Sequence, residues 1–85
     1  MKRREQWRPV LDAEVKKWSA KSCAELIAEL PDEQIYEVEF AGRNHQVEVR
    51  ILQNTDKHIL VIVSVDDGSI PASFLPLSST FVREK

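Results

Sequence analysis

The sequence predicts an α+β domain: two short N-terminal helices packed on one face of a three- to four-stranded antiparallel β meander. Three observations carry this. Apolar residues recur every three to four positions up to Leu30, and every second position from Tyr36 onward. Ser22-Cys23-Ala24-Glu25 spells a helix capping box. Polar, turn-forming residues around 41–44, 53–56 and 66–69 separate the alternating runs.

The first helix is expected at about residues 8–19. Trp7, Val10, Leu11, Val15 and Trp18 fall near one stripe, with Asp12, Glu14, Lys16 and Lys17 largely off it. Pro9 suits a first helical turn, where its missing N–H is not needed. Residues 1–7 are then a basic arm. The second helix is expected at about 23–30, with Cys23, Leu26, Ile27 and Leu30 on one apolar face. Pro31 stops it, because the residue before a proline disfavours helical backbone. Together they form a helical segment over 8–30.

A β meander is expected over 35–77. Tyr36, Val38 and Phe40 alternate with Glu37 and Glu39, giving one apolar and one acidic face. Ala41-Gly42-Arg43-Asn44 reads as a hairpin turn, with Gly42 or Asn44 available for positive φ. Val47, Val49 and Ile51 then alternate with Gln46, Glu48 and Arg50. After the polar loop Gln53–Asp56, the run Ile59–Val65 is apolar on both faces, as a central strand would be. Asp66-Asp67-Gly68-Ser69 is a further turn. A fourth strand over Ile70–Leu77 would contain Pro71 and Pro76, which confines it to an edge. Residues 78–85 form a C-terminal tail, in which Phe81-Val82 can dock as a short turn or strand. The helical stripes should cover the face carrying Tyr36, Val38, Phe40, Val47, Val49 and Ile51.

Size and composition bound the function. A chain of 85 residues and 9.8 kDa supports a single domain over 1–85. With 42% hydrophobic residues it is too apolar for a disordered tail. One cysteine excludes an internal disulfide framework and a multi-cysteine zinc site, and fits a reducing compartment. No apolar run approaches the roughly 20 residues of a transmembrane helix. The basic start Met1–Gln6 is followed by amphipathic sequence, not by an apolar signal-peptide core. A cytoplasmic location without membrane attachment is the expectation.

The net charge of -2 is unevenly spread. Residues 1–21 hold seven basic and three acidic side chains, a net +4; residues 22–85 hold five and eleven, a net -6. Lys2, Arg3, Arg4 and Arg8 therefore form a candidate basic patch for nucleic acid or another anionic partner. Glu37, Glu39 and Glu48 on the strands oppose phosphate, and the strands lack the aromatic pattern of an RNA-binding sheet.

Catalytic and metal chemistry have thin support. Pairing Leu52 near Ile59 would bring His45 near Asp66, the geometry of an oriented general base. Cys23 at the start of the second helix could complete a Cys23-His45-Asp66 arrangement. Yet Cys23 lies on an apolar stripe, Asp66-Asp67-Gly68 has a sufficient turn role, and no nucleophile motif is present. His45 and His58 would sit about seven strand steps apart, roughly 20 Å, too far for one metal. The aspartates lack calcium-loop spacing, and Gly42 and Gly68 are isolated. No catalytic residue, metal or cofactor is assigned.

The sheet face opposite the helices remains. Leu52, Leu60, Ile62 and Phe74 form a candidate interface there, with Ile35 beside them and Glu48, Arg50 and Ser64 on the same side. So small a core gains from self-association. The expected function is a non-catalytic protein-interaction domain that forms a homodimer. Anionic-partner or nucleic-acid binding through the N-terminus is the alternative, and an enzyme using Cys23, His45 and Asp66 the third.

Overall fold

The computed structural model describes residues 2–66 and 77–85, with side chains from Trp7 onward. In chain order the elements are α1 (Lys2–Ser19), α2 (Cys23–Glu29), β1 (Gln34–Phe40), β2 (Arg43–Asn54), β3 (His58–Asp66) and β4 (Leu77–Glu84). The four strands form one antiparallel sheet in the order β1-β2-β3-β4. The chain is thus α+β.

The first helix begins at Lys2, so the basic segment is helical and Pro9 lies inside the helix. Lys, Arg, Glu and Gln over residues 2–6 are good helix formers. Trp7, buried in the core, ties that turn down. Pro9 only removes the N–H that would reach the carbonyl of Glu5. The second helix keeps its capping box: Glu25 N–H donates to Ser22 Oγ at 3.1 Å, and Ser22 N–H donates to Glu25 Oε1 at 2.9 Å. It ends one residue before the expected limit, with Leu30 as its C-cap.

The fourth strand also lies later than expected. Leu77, Ser79, Phe81 and Arg83 are half-buried, while Ser78, Thr80, Val82 and Glu84 are exposed. That is a period of two through the segment read from the sequence as a tail. Most of the expected strand at 70–77, including Phe74 and both prolines, lies outside the described residues.

The core is a single cluster. Trp7, Val10, Leu11 and Trp18 of α1 and Leu26 and Leu30 of the second helical segment join Val47, Val49, Ile59, Val61, Val63 and Val65. Alternation along β3 places its odd-numbered residues in this cluster and its even-numbered ones away from it. α1 contacts β3 and β4.

The β2–β3 register differs from the sequence expectation. Gln46, not His45, pairs with Asp66, and Asn54, not Leu52, pairs with Ile59. The register shifts between Ile51 and Gln53, leaving Leu52 as an extra residue of a bulge. Turn chemistry sets part of this: Thr55 N–H donates to the His58 carbonyl at 2.9 Å, and Thr55 Oγ1 accepts from the N–H groups of Lys57 and His58. The turn is therefore Thr55–His58, later than the loop the polar residues suggested.

The β1–β2 hairpin closes on Phe40↔Arg43, with Ala41 at φ 54° and Gly42 at φ 77° between them. Two successive positive φ values are the signature of the two-residue turn that matches strand twist. Asn44 is in the strand. Only Ala41 carries a Cβ into the left-handed region, so Ala41→Asn should stabilise the domain by about 0.5–1 kcal/mol. Chemical denaturation checks this, and a lower midpoint would contradict it.

Candidate functional site

Two regions hold the chemistry. The first is a polar network buried where α1 meets β1. Val10, Glu14 and Trp18 lie one turn apart on α1. Glu14 was expected off the apolar stripe, yet it is only 9% exposed. A carboxylate there needs partners. The Tyr36 hydroxyl donates to Glu14 Oε1 and accepts from Trp18 Nε1 at 2.8 Å. Lys17 Nζ stands 3.7 Å from the same carboxylate oxygen.

Above this network lies a cavity of about 260 Å³ lined by Lys17, Trp18, Lys21, Glu29, Gln34 and Tyr36. Lys17 Nζ is 5.0 Å from the Tyr36 ring centre and 5.7 Å from that of Trp18. Lys21 Nζ is 5.5 Å from the Trp18 ring centre and 3.2 Å from Glu29 Oε2. Gln34 Nε2 donates to the Glu29 carbonyl at 2.7 Å, closing the end of α2 against β1. Both ammonium groups thus sit within cation–π range of one indole.

The Tyr36 phenol is held well above its ordinary range. Burial is the main cause, the hydrogen bond to Glu14 adds to it, and the Trp18 N–H opposes it.

The second region is the sheet face turned away from the core. Its apolar and acidic residues lie toward opposite ends, with exposed Arg50 paired to Ile62 among the apolar ones. Leu60 pairs with Val82 and Ile62 with Thr80, next to the bulged Leu52 at the β2–β3 hairpin end. Toward the other end lie Glu37, Glu39, Glu48 and Asp66, with Ile35 paired to Glu48. The Glu48 carboxyl is raised above the usual range, first by burial, then by the charge of and hydrogen bond with Glu33; Arg50 opposes this and Asp66 adds to it.

Of the interface residues named from sequence, Leu60 and Ile62 are half-buried and Leu52 is exposed, while Phe74 lies outside the described residues. Val82, 54% exposed, was missed because its strand was read as a tail. Ile35 is 51% exposed on the edge strand. Of the basic patch, Arg8 is exposed; Lys2, Arg3 and Arg4 are helical, and their side chains are outside the description.

The Cys23-His45-Asp66 arrangement does not assemble. His45 is 2% exposed on the core side, its Nδ1 has no hydrogen-bond partner, and Phe40 meets it edge-on with ring centres 6.3 Å apart. Asp66 pairs with Gln46 and therefore points to the opposite face. The one-residue difference in register is the cause. Cys23 packs against the core cluster. His58 lies at the other end of β2–β3, with Nδ1 3.4 Å from Thr55 Oγ1. Among the described residues no group of three or more His, Cys, Asp or Glu is placed to hold a metal, and no helix is long and apolar enough to cross a membrane. Comparison with family models, curated proteins and solved structures gave no match.

Two outcomes follow. Tyr36 is the single tyrosine, so absorbance near 295 nm reports it alone. Below pH ~10 the phenol is protonated in both states; above it the unfolded chain ionises first, so stability falls as pH rises. The titration should therefore be delayed well past pH ~10 and coincide with alkaline unfolding, whereas Glu14→Gln should move it toward the ordinary value. An ordinary titration in the folded wild type would contradict the network. Separately, His45→Leu removes an unpartnered buried nitrogen and should leave the stability unchanged or raise it by up to about 1 kcal/mol. A large loss in thermal denaturation would mean that the imidazole is bonded.

Proposed function

We propose that the chain is a small protein-interaction domain that pairs with a second copy of itself through the open face of its sheet. The reading takes both helices to lie on the face carrying Val47 and Val63. The observation that carries it is the group Leu60, Ile62 and Val82 at one end of the opposite face, with the exposed, bulged Leu52 at the same hairpin end.

The segregation of that face supports a particular arrangement. Overlapping the two apolar ends about a two-fold axis buries them and lets the acidic ends project away from each other. Full overlap would stack Glu37, Glu48 and Asp66 on like charges, which costs energy in a partly desolvated interface. A nucleic-acid partner would meet the same carboxylates on the sheet and would have to use α1, where Arg8 and Lys16 are exposed.

Sedimentation equilibrium tests the proposal. The wild type should reach twice its 9.8-kDa chain mass at tens of micromolar. Val82→Lys and Ile62→Lys should sediment as monomers, and Val82→Lys should keep a wild-type circular-dichroism spectrum because its side chain is exposed. A wild type that stays monomeric at several hundred micromolar, or a Val82→Lys dimer, would overturn it.

A further inference from the structure

We infer that the cavity between the end of α1, α2 and β1 is a binding site for a small oxyanion, a phosphate or carboxylate group, with Lys17 and Lys21 as its ligands. The inference does not depend on how copies of the chain associate.

The geometry converges from two sides. Lys17, in the last turn of α1, and Lys21, in the link between α1 and α2, reach the same indole, at 5.7 and 5.5 Å from its centre. Both lysines line the same cavity, so an oxyanion entering it meets two cationic side chains. The floor is already committed: Trp18 Nε1 donates to Tyr36, and Tyr36 donates to Glu14. The donors left for a ligand are therefore ammonium N–H groups. Beside their cation–π contacts, Lys17 has a 3.7 Å ion pair with Glu14 and Lys21 a hydrogen bond to Glu29 among the described residues. Gln34 uses one amide N–H on the Glu29 carbonyl and keeps a second.

Volume selects the ligand class. A cavity of about 260 Å³ is below the usual range for drug-sized ligands, roughly 300–1,000 Å³, and suits a single phosphate or carboxylate group.

Glu29 holds the place of that ligand. Its carboxylate, 40% exposed, sits on Lys21 at 3.2 Å. Such a partly exposed ion pair contributes at most about 1 kcal/mol, so an incoming oxyanion can displace it and leave Glu29 solvated. Glu14 cannot be displaced in this way, because it is buried and bonded to Tyr36. The site is thus self-occupied by a weak internal competitor, and removing the competitor should tighten binding.

Tryptophan fluorescence provides the readout, since Trp18 forms the floor and Trp7 lies elsewhere in the core. The wild type is titrated with inorganic phosphate and, separately, with acetate, each against sodium chloride at matched ionic strength. A saturable change with phosphate is expected; a matching change with acetate extends the site to carboxylates, and none restricts it to phosphate. Glu29→Gln should bind several-fold more tightly, and Lys21→Gln and Lys17→Gln at least ten-fold more weakly. The circular-dichroism spectrum of each variant verifies folding, and Lys17, half-exposed, is the safer of the two to neutralise. Failure of phosphate to act beyond chloride, or equal binding by the wild type and both folded lysine variants, overturns the inference. A Glu29→Gln variant that binds no more tightly overturns the displacement step.

Discussion

A buried carboxylate is the constraint from which the helix–sheet arrangement follows. Glu14 lies one turn from Val10 and one turn from Trp18, on a helix face that otherwise enters the core. Burying its charge unpaired would be costly, and Tyr36 removes most of that cost by donating its hydroxyl. Tyr36 can do so only with β1 held beside the last turns of α1. Trp18 then finds a partner for its indole N–H in the same hydroxyl, at 2.8 Å. One phenol thus fixes two residues of the helix against one strand. Packing supplies the area, but an apolar stripe alone tolerates sliding by a turn. The hydrogen bonds do not, so the network selects one seating of α1.

The sheet has two unlike faces. Along β2 and β3 the odd-numbered residues enter the core and the even-numbered ones face away, until the bulge at Leu52. The bulge adds a leucine beside the Leu60–Val82 pair, at the end where apolar residues are already grouped. Acidic residues hold the other end, where burial first, and then Glu33 and Asp66, raise the Glu48 carboxyl. A surface end crowded with carboxylates is poorly matched to a further acid, and better matched to an apolar or cationic neighbour.

Local chemistry was legible in the sequence wherever the determinants were close together. The capping box at Ser22–Glu25 needs only four residues, and the alternation in β1 and β3 needs five or six. The limits of α1 were not legible, because Pro9 marks a first turn only when no stronger anchor precedes it, and Trp7 is that anchor. β4 was obscured because Ser78, Ser79 and Thr80 look like loop residues, although Leu77, Phe81 and Arg83 keep a period of two. Register depends on the Thr55 turn and on a bulge, neither of which alternation alone reveals. Of the candidate site, almost nothing was visible: Trp18 and Tyr36 are 18 residues apart, Glu14 and Tyr36 22. The signal that was available is the carboxylate standing in the row Val10–Glu14–Trp18, an acid where a core residue belongs.

The charge split gains physical meaning from the shape of the molecule. A net charge of -2 describes how the protein acts from far away. At physiological salt, exposed charges are screened over roughly 8 Å, whereas the long axis of the molecule is 40 Å. A ligand or partner near the surface therefore meets local charge, not the sum. Beside the indole of Trp18 it meets Lys17 and Lys21; over β1 and β2 it meets Glu37, Glu39 and Glu48. The two regions thus present opposite local charge. A near-neutral chain can in this way present ammonium groups beside the end of α1 and carboxylates on its sheet, with Lys17 reaching within 5.0 Å of the Tyr36 ring that separates the two.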